Sequence, residues 1–182
     1  MKFQKLSIGL PCYNEEKNIN KVINDIIAAI GKNKLNNWEL ILVDNKSTDK
    51  TVEIIKKNIK KRNVKNIKLI KNKKNILYSG SVEKIIKISK FKYVAIMDSD
   101  NQYDPNDIFK LYKNLQNQGL DLIIGKRSYR QDSIFRKIVS KFFLIISKIL
   151  INNNLSDLNC GIRILKKNSK IKKYIKYKLN FC

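Results

Sequence analysis

The feature that most constrains this 182-residue chain is a repeated change of hydrophobic period. Short apolar runs at residues 5–11 (KLSIGLP), 38–43 (WELILV), 66–70 (NIKLI), 93–97 (YVAIM) and 121–125 (DLIIG) read as buried strands. Between them lie segments whose apolar residues fall at helical spacing. One begins at Asn14, with acids in its first turn, and carries Ile19, Val22, Ile23, Ile26, Ile27 and Ile30. Others are predicted from about Thr48 to Lys61, from Ser81 to Ser89, and from Pro105 to about Gln118. Strands alternating with helices of this length dictate an α/β domain: a mostly parallel central sheet, right-handed crossovers and helices on both faces. Ligands bind such sheets beyond the carboxyl ends of the strands. The clusters PCYNEE, DNKSTD, DSDNQ and GKR each follow a predicted strand, so they are expected to converge at one edge.

Composition narrows the chemistry. Lys and Arg total 39 against 15 Asp and Glu, a formal charge of +24. Such a surplus suits a polyanion, either nucleic acid or an anionic membrane face. The same surplus follows from a composition in which Lys, Ile and Asn make up roughly half the chain, with no partner implied. The most basic stretch, residues 56–74, holds no aromatic residue to stack on bases, which counts against a nucleic-acid-binding protein. Cys12, Cys160 and Cys182 show no CxxC spacing, so neither a disulfide framework nor a zinc site is indicated, and a reducing compartment is the default. Histidine is absent, which removes Ser-His-Asp and Cys-His nucleophile systems. No apolar run approaches the ~20 residues of a membrane span, and the first residues do not form a signal peptide.

Three clusters carry candidate chemistry. In Met97-Asp98-Ser99-Asp100-Asn101-Gln102, two carboxylates flank one residue directly after a strand. Both can reach a divalent cation and a diphosphate, and hard oxygen ligands suit Mg²⁺ or Mn²⁺. The competing reading is a solvated turn, with Asp104 and Asp107 capping the next helix. In Val43-Asp44-Asn45-Lys46-Ser47-Thr48-Asp49, side-chain oxygens can accept from a nucleobase, while Ser47 or Asp49 can equally serve as a helix N-cap. In Pro11-Cys12-Tyr13-Asn14-Glu15-Glu16, Tyr13 can pack on a flat base and Glu15 can accept a hydrogen bond.

Taken in order, a P-x-Y-N-E turn, a V-D-x-x-S-x-D turn and an M-D-x-D-x-Q turn resemble the family 2 glycosyltransferases of GT-A fold. Gly125-Lys126-Arg127 lies where that family has a phosphate-contacting arginine. The stretch from Ser156 to Lys167 resembles the D-x-x-x-G-x-R segment of the branch that charges polyprenyl phosphates, including dolichyl-phosphate mannose and glucose synthases. The resemblance covers residues 5 to about 167.

It implies that Pro11, Tyr13, Glu15, Val43, Asp44 and Asn45 hold the nucleoside of a GDP-mannose or UDP-glucose type donor. Asp98 and Ser99 would lie by the ribose and diphosphate. Asp100 and Gln102, with Asp98, would bind Mg²⁺ or Mn²⁺, and Arg127 would contact the diphosphate. Arg136 and Arg163 become candidates for the acceptor phosphate, and Asp157 lines the same site. Of five arginines, three stand at these places, where a planar fork suits phosphate better than lysine does.

The implied reaction is metal-dependent, inverting transfer of a sugar to a polyprenyl phosphate, with Asp98, Asp100, Arg127 and Asp157 as the catalytic set. A lipid phosphate is already ionised near neutral pH, so the missing histidine is no obstacle. Residues 1–182 are then one catalytic domain, divided into a nucleotide-sugar core (1–130), an amphipathic helix with the acceptor loop (131–167), and a basic tail (168–182) expected to be shorter than in relatives. Residues 133–151 carry a narrow stripe of Arg136, Lys137, Ser140, Lys141, Ser147 and Lys148 on an otherwise apolar segment. That pattern fits a helix lying in a membrane interface or one packed on a core; the resemblance favours the interface. Peripheral attachment to the cytoplasmic side of a membrane, with a separate anchoring subunit, is the corresponding expectation. Transfer to a glycan or protein hydroxyl is the alternative activity, and an inactive homologue the further one. Two departures stand out: Asn45 replaces the second Asp of the family turn, and the loop Asn75 to Gly80 lacks the usual glycine pair.

Overall fold

A computed structural model describes residues 5–62, 65–125 and 160–167. The elements run β1 (Leu6–Cys12), α1 (Ile19–Lys32), β2 (Trp38–Asp44), α2 (Thr51–Arg62), β3 (Ile67–Lys71), α3 (Leu77–Ile88), β4 (Tyr93–Ile96), α4 (Asn106–Asn117), β5 (Leu122–Ile124) and β6 (Arg163–Lys166). They build a six-stranded sheet in the order β3-β2-β1-β4-β6-β5. β1 pairs in parallel with both β2 and β4, and β2 in parallel with β3. β6 is antiparallel to both β4 and β5, between which it is inserted.

The strand alternation sorts the core into two faces. Leu6, Ile8, Leu10, Cys12, Leu40, Leu42 and Ala95 pack with α1, α2 and α4 residues such as Ile23, Ile26, Ile55 and Ile108. Ile41, Val43, Val94, Ile96 and Leu165 face the other way, against Ile85 and Ile86 of α3. Gly9 opens that second face. A Cβ built there would lie 2.2 Å from Cγ2 of Ile85, so only glycine lets α3 approach β1 this closely.

Four boundaries differ from the sequence expectation. α1 and α2 start later than their periodicity suggests, because the preceding polar residues form the turns described below. α3 starts earlier, at Leu77, and residues 163–166, read in sequence as part of the acceptor loop, form a strand. Within the basic stretch 56–74, the residues up to Arg62 end α2 and Ile67–Lys71 form the edge strand β3. Exposed lysines on an edge strand discourage pairing with another chain.

At the amino ends of the strands, Glu39 is 3% exposed and held on several sides. Ser7, its register partner, donates to Oε1 at 2.7 Å, Lys68 pairs with Oε2 at 2.8 Å, and the Lys90 N–H also donates to Oε1. Burial pushes the carboxyl up, but these hydrogen bonds and the Lys68 charge outweigh it and leave the group below its ordinary value. Its stabilising contribution is therefore present above the ordinary glutamate range and lost as pH falls through the lower folded value. Glu39→Gln is expected to destabilise the chain by about 1–3 kcal/mol at neutral pH, measured by urea unfolding. The difference from wild type should shrink in acid, and a difference independent of pH would contradict this account.

Candidate active site

Because β1, β2 and β4 run in parallel, their following turns share one edge and are bonded to each other. The Asn45 N–H donates to the Cys12 carbonyl at 2.8 Å, and the Ser99 hydroxyl to the Pro11 carbonyl at 2.8 Å. The first two turns are laced more densely. Backbone N–H groups of Asn14, Glu15 and Glu16 donate to Ser47 Oγ, Thr51 Oγ1 and Asp49 Oδ2 at 3.0, 2.7 and 3.0 Å. In return, the N–H groups of Thr48 and Lys50 donate to the side chains of Asn14 and Glu16. Asn14 adopts φ 55°, a left-handed conformation that asparagine tolerates. Asp49 also accepts from the Thr51 N–H at the start of α2.

This lacing brings carboxylates together. Burial pushes the Glu15 carboxyl up, and the charges of Asp100, Asp49 and Asp98 push the same way, against a hydrogen bond from Asn18. The Asp100 carboxylate accepts from the Gln102 N–H at 3.1 Å. Tyr13 is 50% exposed beside these groups in the chain, leaving its ring area open to a flat partner. Gln102 also borders an open cleft of about 460 Å³ between α1 and residues 101–106, where Lys21 and Asp104 contribute further lining.

β6 closes the other side of this edge. The Asp98 N–H donates to the Gly161 carbonyl at 3.2 Å, and the Gly161 N–H to the Tyr103 hydroxyl at 2.8 Å. Gly161 has no room for a side chain: a Cβ would lie 2.0 Å from Asp98 Oδ2 and 2.6 Å from the Tyr103 ring. Arg163, opposite Ile96 in the sheet, donates to the Cys160 carbonyl at 3.1 Å. Its guanidinium carbon sits 5.9 Å from the centre of the Tyr78 ring, within cation–π range. The Tyr78 hydroxyl in turn donates to Asp98 Oδ1 at 2.7 Å. Burial and the Asp98 charge push this hydroxyl up, so it remains a donor at neutral pH.

Tyr78 is set by an amide network centred on Asn45, which is 5% exposed. Asn45 Oδ1 accepts from the Asn72 side chain and from the Ile76 N–H at 2.9 Å, while its NH₂ donates to Asn75 at 2.7 Å. Lys84 reaches Asn72 at 2.6 Å. Leu77, one residue later, sits at φ 62° with its side chain 54% exposed. A leucine thus occupies a left-handed position that favours glycine, which gives the missing glycine pair its structural meaning.

The structure therefore gathers Pro11, Tyr13, Glu15, Asp44, Asn45, Asp98, Ser99, Asp100, Gln102 and Arg163 at the carboxyl edge. Not all of them are open to a ligand. Val43 is fully buried in the α3-side core, Asp44 is 2% exposed and accepts from the Ser47 N–H, and Asn45 spends both amide atoms on the neighbouring loop. Arg127, Arg136, Asp157 and the stripe of residues 133–151 lie outside the described residues. Tyr78 escaped the sequence reading, although an aromatic residue in a polar loop after β3 was the available signal.

The fold and this edge together match one family. The model of glycosyl transferase family 2 matches residues 7–177, and the chain belongs to that family. An uncharacterized protein of Methanocaldococcus jannaschii is 34% identical over 86% of this chain and 69% of its own length. A dodecaprenyl-phosphate galacturonate synthase of Rhizobium johnstonii is 30% identical over 88% of this chain. The chain spans 47% of that synthase, about half its length. Among solved structures, glucosyl-3-phosphoglycerate synthase from Mycobacterium tuberculosis, in complex with Mn²⁺, UDP and glucosyl-3-phosphoglycerate, superposes with a TM-score of 0.69. At 18% identity, covering 90% of this chain and 57% of that one, it supports the GT-A-type fold.

Two substitutions probe this edge. Gly161→Ala is expected to displace Asp98 and Tyr103 and to lower stability by about 1–3 kcal/mol, read by thermal unfolding. Leu77→Gly should relieve the left-handed backbone and raise stability by about 0.5–1 kcal/mol. A destabilised Leu77→Gly would mean that the leucine side chain contributes packing that outweighs its backbone strain.

Proposed function

We infer that the chain transfers a sugar from a nucleotide-sugar donor to a polyprenyl phosphate, with inversion and with a divalent cation at the Asp98–Asp100 turn. The observation that carries this reading is the meeting of opposite charges at the β4–β6 junction. Asp98 follows β4, Arg163 opens β6, and Tyr78 touches both. A donor's diphosphate and an acceptor's phosphate would have to come together at such a junction.

The residues fit a hard cation. Asp98, Asp100 and Gln102 offer oxygen donors, and the neighbouring carboxylates already disfavour ionisation of Glu15, a repulsion that a cation would relieve. Among the described residues, no three His, Cys, Asp or Glu side chains form a metal-holding group of their own. Mg²⁺ and Mn²⁺ commonly take one or two protein carboxylates and complete their shell with water and substrate phosphate. When bound, the ion would offset charge on the departing nucleoside diphosphate. The related M. tuberculosis structure contains Mn²⁺ and UDP, and the Rhizobium synthase is named for a polyprenyl phosphate.

The chain's own residues would then align the reactants. Tyr13 covers the base, and Glu15 accepts from the nucleoside. Arg163, with Arg136 and Arg127, neutralises phosphate oxygens. An ionised phosphate attacks the anomeric carbon directly, so no side chain has to remove a proton. A single displacement inverts that centre. Asp157 borders the acceptor, and residues 133–151 rest on the bilayer with their basic stripe toward the headgroups. No helix among the described residues is long and apolar enough to cross a membrane.

The test offers UDP- and GDP-sugars to the full chain with Mn²⁺ or Mg²⁺ and undecaprenyl phosphate in detergent. Labelled lipid should form only with metal, should carry an inverted anomeric centre by NMR, and should fall about a hundredfold or more in Asp100→Ala. Metal-independent transfer, or a product with retained configuration, would contradict the mechanism.

A further inference from the structure

Tyr78 belongs to none of the three turns from which the donor site was read, yet it contacts both sides of the candidate reaction. Its hydroxyl lies 2.7 Å from Asp98 Oδ1, and its ring lies under the Arg163 guanidinium at 5.9 Å. Its surroundings fix it from behind. Asn45 holds Asn75 and the Ile76 N–H, Asn75 accepts from the Leu77 N–H at 2.8 Å, and α3 begins at Leu77. The residue remains 43% exposed, so it stands at the surface of the edge rather than in the core. A core tyrosine would contribute packing; this one contributes two directed contacts.

We propose that Tyr78 is a positioning residue of the transfer reaction, its hydroxyl fixing the Asp98 carboxylate on the donor side and its ring supporting Arg163 on the acceptor side. This rests on the sugar-transfer reading above and assigns a role to a residue that lies in none of the three turns. The two contacts use different parts of one side chain, so they can be removed separately. Phenylalanine keeps the ring and loses the donor to Asp98. Leucine loses both.

The experiment measures Tyr78→Phe and Tyr78→Leu in the full chain by two readouts. The first is calorimetric titration with UDP and GDP in the presence of Mn²⁺. The second is the KM for nucleotide sugar and for undecaprenyl phosphate. Tyr78→Phe should weaken nucleotide–Mn²⁺ binding and raise the donor KM about tenfold, with the acceptor KM unchanged. Tyr78→Leu should show the same donor defect and raise the acceptor KM about threefold, a defect that phenylalanine rescues. A purely structural role would lower the melting temperature without splitting the two KM values. Unchanged or tighter nucleotide binding in Tyr78→Phe, or equal acceptor KM values in the two variants, would overturn the proposal.

The two readings fail differently. Wild type that binds nucleotide but transfers nothing would refute the polyprenyl-phosphate reaction, and Tyr78's hold on the donor site would then be decided by the titration alone. Wild type that binds neither UDP nor GDP with Mn²⁺ would overturn both.

Discussion

β1 lies between two strands parallel to itself, and the chemistry of the edge depends on that pairing. In the register that pairs Leu6 with both Trp38 and Tyr93, the carboxyl ends of β1, β2 and β4 face the same way. Three polar turns are then close enough to hydrogen-bond one another. An antiparallel β2 or β4 would send its turn to the opposite edge, beside Glu39. The convergence has an electrostatic consequence, since Glu15, Asp49, Asp98 and Asp100 gather their negative charges, and backbone N–H groups and Tyr78 offset only part of the repulsion.

The exchange of carboxylate for amide at Asn45 shows how one atom can change what a turn is for. An aspartate there could still accept from Asn72 and from the Ile76 N–H. It could not donate to Asn75, and two acceptor oxygens would then face each other in a nearly dry site. The amide satisfies all three contacts, at the expense of an oxygen available to a base. Under the proposed function, recognition of a nucleoside would then fall to Tyr13, which is 50% exposed, and to Glu15.

Much of this architecture was legible in the sequence. Five apolar runs and their helical intervals gave the α/β class because period 2 and period 3.6 are properties of the residues themselves. The three turns were legible because each follows a strand. What escaped detection depends on contacts distant in sequence. β6 was read as part of the acceptor loop, and its strand character shows only in its antiparallel pairing with β4 and β5, with Asp98 and Gly125 supplying partners for the backbone just before it. The α1 and α2 starts shifted because Asn14, Glu16 and Asp49 bond between the two turns across more than thirty residues, Asp49 while also accepting from the Thr51 N–H at the start of α2. Tyr78 stood out in sequence only as an aromatic residue in a polar loop, because its partners Asp98 and Arg163 are 20 and 85 positions away. Leu77 could be noticed only as an absent glycine until its φ was known.

The insertion of β6 between β4 and β5 also governs how the intervening chain is held. The Gly125 N–H donates to the Ile162 carbonyl at 2.9 Å, a clasp between the end of β5 and the start of β6 that any segment joining the two strands has to close. Closing such an excursion is an entropic matter that grows only with the logarithm of its length, about 0.6 kcal/mol per doubling. The clasp therefore makes the sheet edge indifferent to how long that excursion is.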